Sequence, residues 1–182
     1  MLAIRRGTSA DAALLTDLAR RTFHDTYAAD APPDQLAIHL ARAFSLEAQA
    51  AELTDQGLVT LLALVDDVPT GFAQVRIDLS HPVPPCVPPG PPVEVVRFYL
   101  EQAWAGRGIA GPLMEAVRAI GRGAGGTVAW LSVWEGNRRA IRFYEKCGFR
   151  EVGRAPYRFG DRIEMDWVMS SALSAASAVQ GP

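Results

Sequence analysis

Residues 104–114 read WAGRGIAGPLM and follow directly on an apolar run at 93–100. A strand that feeds a glycine-rich turn and then an apolar helix has chemistry in it. Glycine lets the backbone approach a ligand without side-chain obstruction, and a helix start offers N–H groups with no partner inside the helix. Those donors, with the positive end of the helix dipole, suit a phosphate or pyrophosphate. The turn does not say which compound carries it. No GKS or GKT follows the glycines, so the segment is not a P-loop. The GxGxxG dinucleotide fingerprint is incomplete, and its strand lies mid-chain after an antiparallel pair.

A second block, WLSVWEGNRRAIRFYEKCGF at 130–149, adds groups that can move protons or hold a ligand. Asn137 stands where a helix begins and can cap it, with the other end of its amide left over. Ala140, Phe143, Tyr144 and Cys147 recur at helical spacing, which on its own describes a packing stripe. Within that stripe Tyr144 carries a hydroxyl. Glu94, near the start of the apolar run, is either a solvated charge at a strand end or a carboxylate aimed into a cleft.

The elements that position these groups are legible from periodicity and punctuation. Residues 2–6 read as a first strand, and Thr8, Ser9 or Asp11 cap a helix running to about Phe23. Helices are expected at 34–44 and 46–53 after Pro32 and Pro33. Strands at 57–65 and 70–77 turn about Asp66-Asp67-Val68-Pro69 into an antiparallel pair. The segment HPVPPCVPPGPP at 81–92 lacks donors and fixes φ, so it is an extended loop. It reads as a surface loop between strands, or alternatively as a flap by the site or a contact with a second subunit. Residues 93–100 form the central strand and 109–121 the helix after the turn. A strand at 127–133 and a helix at 137–146 follow, the helix closed by Gly148. Final strands at 150–152 and 163–169 join around Gly160-Asp161. The expected organisation is one domain over 1–170, with the Pro-rich loop inside it and a flexible tail at 171–182.

Composition narrows the classes. With 182 residues, 49% hydrophobic and 21% charged, the chain has the make-up of a single globular domain with a sizeable core. A net charge of −2 gives no basic field for nucleic acid or an anionic membrane. Cys86 and Cys147 form no CxxC pair, and His24, His39 and His81 have no metal-ligand spacing. The N-terminus lacks the pattern of a signal peptide, and no run approaches the roughly 20 apolar residues of a membrane helix. The chain is expected to be soluble and cytoplasmic, with free thiols and no metal.

The two blocks together resemble the GCN5-related N-acetyltransferase (GNAT) family. There a central strand leads into a turn of the form Q/R-x-x-G-x-G/A that holds the pyrophosphate of acetyl-CoA, and a later helix carries Asn and A-x-x-F-Y-x-x-x-G-F. Here the turn is Ala105, Gly106, Arg107, Gly108, Ile109 and Ala110, followed by Gly111. The later block is Asn137, Ala140, Phe143, Tyr144, Gly148 and Phe149. Ala105 departs from the family's Gln or Arg, which shifts pyrophosphate binding onto backbone N–H groups and the Arg107 guanidinium. More narrowly, residues 21–27, 32–44, 130–137 and 159–161, with Asp166 and Met169, look like the PaiA-type polyamine acetyltransferases of bacteria.

What the resemblance implies is specific. The fold is a mixed α/β (α+β) GNAT architecture, a mostly antiparallel central sheet of six to seven strands flanked by helices. Acetyl-CoA is the co-substrate, held by the turn, by Asn137 and Phe143, and by strand backbone at Phe98, Tyr99 and Leu100, which pairs with pantetheine amides like an added strand. A strand N–H also faces the developing oxyanion. Glu94 takes the amine proton, directly or through water, and Tyr144 protonates the departing thiolate. The acceptor is a small primary amine, polyamines first, recognised among Phe23, Asp25, Tyr27, Glu94, Trp134, Asp161 and Asp166. The three aspartates have capping or turn readings of equal weight, and Trp134 one of core packing. Alternatives are acetylation of an amino acid, an antibiotic amine or a protein N-terminus, or a non-catalytic acyl-CoA sensor. A homodimer is left open.

Overall fold

The computed structural model describes residues 1–173. In chain order the elements are β1 (Leu2–Arg6), α1 (Ala12–Tyr27), α2 (Pro33–Ala43), α3 (Leu46–Thr54), β2 (Leu58–Val65) and β3 (Val68–Arg76). They continue with β4 (Pro92–Leu100), α4 (Ala110–Gly123), β5 (Val128–Val133), α5 (Arg138–Lys146), β6 (Arg150–Phe159) and β7 (Arg162–Ala172). The seven strands form one sheet in the order β1-β2-β3-β4-β5-β7-β6. Every neighbouring pair is antiparallel except β4 and β5, which run parallel. This is the expected mixed, mostly antiparallel sheet.

Local chemistry explains the boundaries. The turn between β2 and β3 holds Asp66 and Asp67 at positive φ, a conformation that short polar side chains tolerate and that hairpin turns demand. Pro33 sits at the first position of α2, where a missing N–H leaves nothing unpaired. Ser45 caps α3 and Asn137 caps α5, each through a side-chain oxygen accepting from the N–H three residues on. Gly148 closes α5 at φ +83°.

The sheet has two differently covered faces. On one, Leu113, Met114 and Val117 of α4 and Ile141 of α5 pack over Val93, Leu131 and Met169. On the other, α1 and α2 cover the β1–β4 half through Phe23, Leu36, Leu62 and Phe72. On that second face α2 reaches only the far end of β6, where His39 stacks on Phe159, and among the described residues no helix covers the near parts of β5, β7 and β6. The Pro-rich segment covers those near parts, with Val87 packed among Val128, Trp130, Ala155 and Val168. Cys86 lies so close to Gly153 that a side chain there would collide with its sulfur.

Two expectations about the chain's end are corrected. β6 extends from Arg150 to Phe159, well past the expected 150–152, because its far half pairs continuously with β7. β7 runs on to Ala172, and Leu173 is buried in the core against Gly121 and Gly126. Residues 171–173 therefore belong to the folded domain, and the rest of the expected tail, 174–182, lies outside the described residues.

β4 carries an irregularity that matters for the site. Arg97 pairs with Gln74 and Val95 with Val75, so Val96 is an extra residue, a β-bulge. Before it, Val93 and Val95 face α4; after it, Phe98 and Leu100 do. The ladder to β5 is short as well. It joins Pro92, Val93 and Glu94 to Val128, Ala129 and Trp130 and then stops. Beyond Glu94 the two parallel strands diverge.

Candidate active site

The divergence creates two features. One edge of β4, from Val95 to Leu100, has no strand partner on the β5 side. Past its end comes the glycine turn. Gly106 and Gly108 adopt φ +76° and +80°, a region that other residues enter only with strain. The space where their Cβ atoms would lie is open, as it is at Gly111. The N–H groups of Gly106, Gly108, Ile109, Ala110 and Gly111 have no backbone acceptor among the described residues. Five donors at the start of a 14-residue helix, ringed by open space, make a cradle for a phosphate group. Ala105 offers no side-chain donor there. The Arg107 guanidinium lies over the Trp104 ring at 5.3 Å from its centroid, at the rim of the turn.

α5 brings the second block against the open part of β4. Phe143 stacks on Phe98 with centroids 5.3 Å apart, and Tyr144 meets the same ring edge-on at 6.3 Å. Tyr144 is 7% exposed, and burial raises its phenol well above the usual range, so the hydroxyl keeps its proton at neutral pH. Asn137 spends its oxygen on the N–H of Ala140. The remainder of its side chain lies by the Tyr27 hydroxyl, where with Tyr99 it offsets part of the rise that burial causes in the Tyr27 phenol.

On the other face, the divergence opens a cavity of about 130 Å³. Its floor is Val96 of β4, Ser132 of β5 and Trp134 just beyond it, with Val96 and Ser132 each two residues past the last paired residues, Glu94 and Trp130. Phe23 and Tyr27 of α1 and Tyr99 of β4 form one wall; Tyr157 and Phe159 of β6 form another. Three carboxylates line it: Asp30 in the loop after α1, and Glu164 and Asp166 on β7. Among the described residues no Lys, Arg or His does. The β6–β7 turn is fastened to α2 to complete the enclosure. The Asp161 N–H donates to Gln35 Oε1 at 2.8 Å, and Arg42 Nη1 donates to the Gly160 carbonyl at 2.8 Å.

Of the residues singled out for the acceptor, Phe23, Tyr27, Trp134 and Asp166 all border this cavity. Asp25 does not; its exposed carboxylate faces His24 at 3.8 Å, and its backbone carbonyl accepts from Gln102. Asp161 sits in the β6–β7 turn with Arg158 3.5 Å away. Glu94 occupies a neighbouring small groove with Arg76, His81 and Trp130, its carboxylate 3.9 Å from Arg76 Nε. Burial raises its carboxyl, against the opposing pull of Arg76 and Arg97. Glu164, Asp30 and Tyr157 were not singled out. The even spacing of Glu164 and Asp166 on one strand was the available signal.

Among the described residues no group of His, Cys, Asp and Glu could hold a metal ion, and no helix is long and apolar enough to cross a membrane. Cys86 and Cys147 are free thiols.

The chain is similar to known proteins. The model of the acetyltransferase (GNAT) family matches residues 14–149. An uncharacterised N-acetyltransferase of Mycobacterium bovis is 32% identical over 164 residues, 90% of this chain and 98% of the relative. The aminoglycoside N(6')-acetyltransferase type 1 of Stenotrophomonas maltophilia is 30% identical over 154 residues, 85% and 90% of the two chains. Among solved structures, the PaiA N-acetyltransferase of Thermoplasma acidophilum in complex with coenzyme A superposes with a TM-score of 0.75 at 20% identity, covering 94% of this chain and 99% of that one. The family match takes in both the glycine cradle and the capped helix bearing Tyr144, and relatives at this identity run nearly end to end with it. The chain belongs to the GNAT family of N-acetyltransferases.

Proposed function

We propose that the protein transfers the acetyl group of acetyl-CoA directly to a primary amine of a small polycation, polyamines first, in a ternary complex. The observation that carries the acceptor is the cavity at the strand divergence, lined by three carboxylates and by no basic side chain. Such a lining favours ammonium groups, and Tyr27 and Trp134, with ring centroids 6.1 Å apart, add aromatic faces for them. A free amino acid would bring its own carboxylate into this field.

Acetyl-CoA supplies an activated acetyl thioester when bound. The five N–H groups of residues 106–111 are the donors suited to its pyrophosphate, with Arg107 nearby, and the unpaired edge of β4 through Phe98, Tyr99 and Leu100 suits its amides. Asn137 and Phe143 flank that edge. Tyr144 holds a proton at its hydroxyl for the sulfur that leaves, and the burial that keeps the phenol protonated supports this role. Glu94, two residues before Val96 but in the adjoining groove, takes the amine proton through water and not by contact.

The relative that acetylates aminoglycosides favours a second reading, an aminoglycoside acceptor, since those molecules are also polycations. A screen of acetyl-CoA consumption against polyamines, aminoglycosides, amino acids and peptides separates the readings. Polyamine turnover is expected, and Tyr144→Phe should lower kcat by about 10²-fold with little change in acetyl-CoA affinity. Tight coenzyme binding without turnover of any amine would make the protein a sensor.

A further inference from the structure

Asp166 is 5% exposed, yet its carboxylate accepts no hydrogen bond and meets no cation among the described residues. It borders the cavity. Its oxygens are not among the fully enclosed unpaired atoms of the fold: they open onto the cavity, where solvent alone answers the charge, and partial burial makes that solvation poor. Elsewhere the fold supplies such groups with partners. Asp11 takes two bonds from Arg5 and another from the Thr8 N–H, and Glu52 takes bonds from Arg97, Gln74 and Gln49. Asp166 is thus left open to a partner that enters through the cavity.

Its position says which part of a ligand that is. β5 lies between β4 and β7, and Trp167 pairs with Val133, which puts Asp166 level with Trp134. Two strand spacings separate β7 from β4, about 10 Å where strands pair and more beyond the divergence. An amine reacting at the β4 edge cannot also sit on Asp166. Between the two points, on the intervening strand, lies Trp134, with the Tyr27 ring 6.1 Å away; their aromatic faces make a lining for a methylene chain.

We infer that Asp166 anchors a second ammonium group of the acceptor, several methylenes from the nitrogen that is acetylated, and so selects terminal diamines and longer polyamines over monoamines. This rests on the acetyl-transfer reading above. Glu164, on the same strand face, extends the anchor toward the cavity mouth and attracts the cation on entry. Burial holds the Asp166 carboxyl at about 6, with Glu164 adding to the rise, and an ammonium alongside would draw it back down.

The test is steady-state kinetics with α,ω-diamines of three to eight methylenes and with the monoamine of each length, on wild type, Asp166→Asn and Asp166→Glu. Wild type should prefer diamines above a threshold length by tenfold or more in kcat/KM. Asp166→Asn should raise the diamine KM at least tenfold while holding kcat within twofold, with a several-fold smaller rise in the monoamine KM; Asp166→Glu should recover part of the loss. An equal fall in kcat for diamine and monoamine would make Asp166 a proton acceptor and overturn the anchor, as would no change in either. Diamine binding by calorimetry keeps the two readings apart. If wild type turns over no amine, acetyl transfer to small amines falls, and diamine binding that is equal in wild type and Asp166→Asn separately removes the anchor.

Discussion

Glu52 and Asp166 are carboxylates beneath the same face of one sheet, and the fold treats them in opposite ways. Glu52, on α3, accepts from Arg97 at 2.5 Å and from Gln74 and Gln49 at 3.0 Å each. Gln74 in turn reaches Thr60 at 3.3 Å, and Arg97 lies over the Phe44 ring. The β1–β4 half of the molecule therefore pairs the charges it buries. The β5–β7 half buries Asp166 with nothing opposite. Paired charge marks the half that holds the fold together, and a missing partner marks the half built to receive one.

The sharpest way to break this contrast is to neutralise each acid in turn. Glu52→Gln leaves the Arg97 guanidinium with an unpaired charge, and should destabilise the protein by about 3 kcal/mol in urea unfolding. Asp166→Asn should not destabilise it at all. Equal losses from the two substitutions would mean that both acids serve the fold.

The second comparison is in pH. The folded protein holds the Asp166 proton more tightly than the unfolded chain does, because burial raises its carboxyl to about 6. The group's contribution to stability is therefore full below about pH 4 and is lost as pH rises through 6. Wild type should fall behind Asp166→Asn by on the order of 1–2 kcal/mol between those values, the open cavity screening part of the full shift. Saturating polyamine at pH 7 should close the gap, and parallel stability curves for the two proteins would show that Asp166 is not strained.

Glu94 is the intermediate case, with one cation at a distance and a small groove around it. Glu94→Gln should change stability by less than about 1 kcal/mol, since a pair this long and partly exposed is weak. Its effect belongs in the rate. A loss of about tenfold in kcat is expected at low pH, where the amine is hardest to deprotonate, shrinking as pH rises. A pH–rate profile matching wild type would move the proton acceptor elsewhere.

Much of this was written in the sequence. Strand runs, caps, the Gly148 stop and the two blocks at 104–114 and 130–149 are local signals, and local physics places them within a few residues. The cavity is not local. It exists because Gln35 and Arg42 of α2 grip the turn at Gly160 and Asp161, contacts that span more than 100 residues of chain. Asp30 and Tyr157 owe their place to that grip, so no spacing rule reveals them, whereas Glu164 could have been paired with Asp166 by its even spacing on β7. The length of β6 was hidden for a related reason, since its far half is exposed on one side and lacks an apolar run. Glu94 shows the limit of alternation, because knowing which face a strand residue takes does not say which groove on that face it enters.

Val96 extends that limit along the whole of β4. Parity inverts at the bulge: odd-numbered positions point toward α4 before it and even-numbered ones after it. The strand behaves as two half-strands spliced out of phase. The first half is the part joined to β5, with Glu94 paired on both sides. The second half, from Arg97 on, places Phe98 and Leu100 toward α4 while Arg97 and Tyr99 turn to the opposite face, toward Glu52 and the cavity. One surplus residue thus decouples the part of the strand that builds the sheet from the part that meets ligands, and substitutions in either part obey opposite rules.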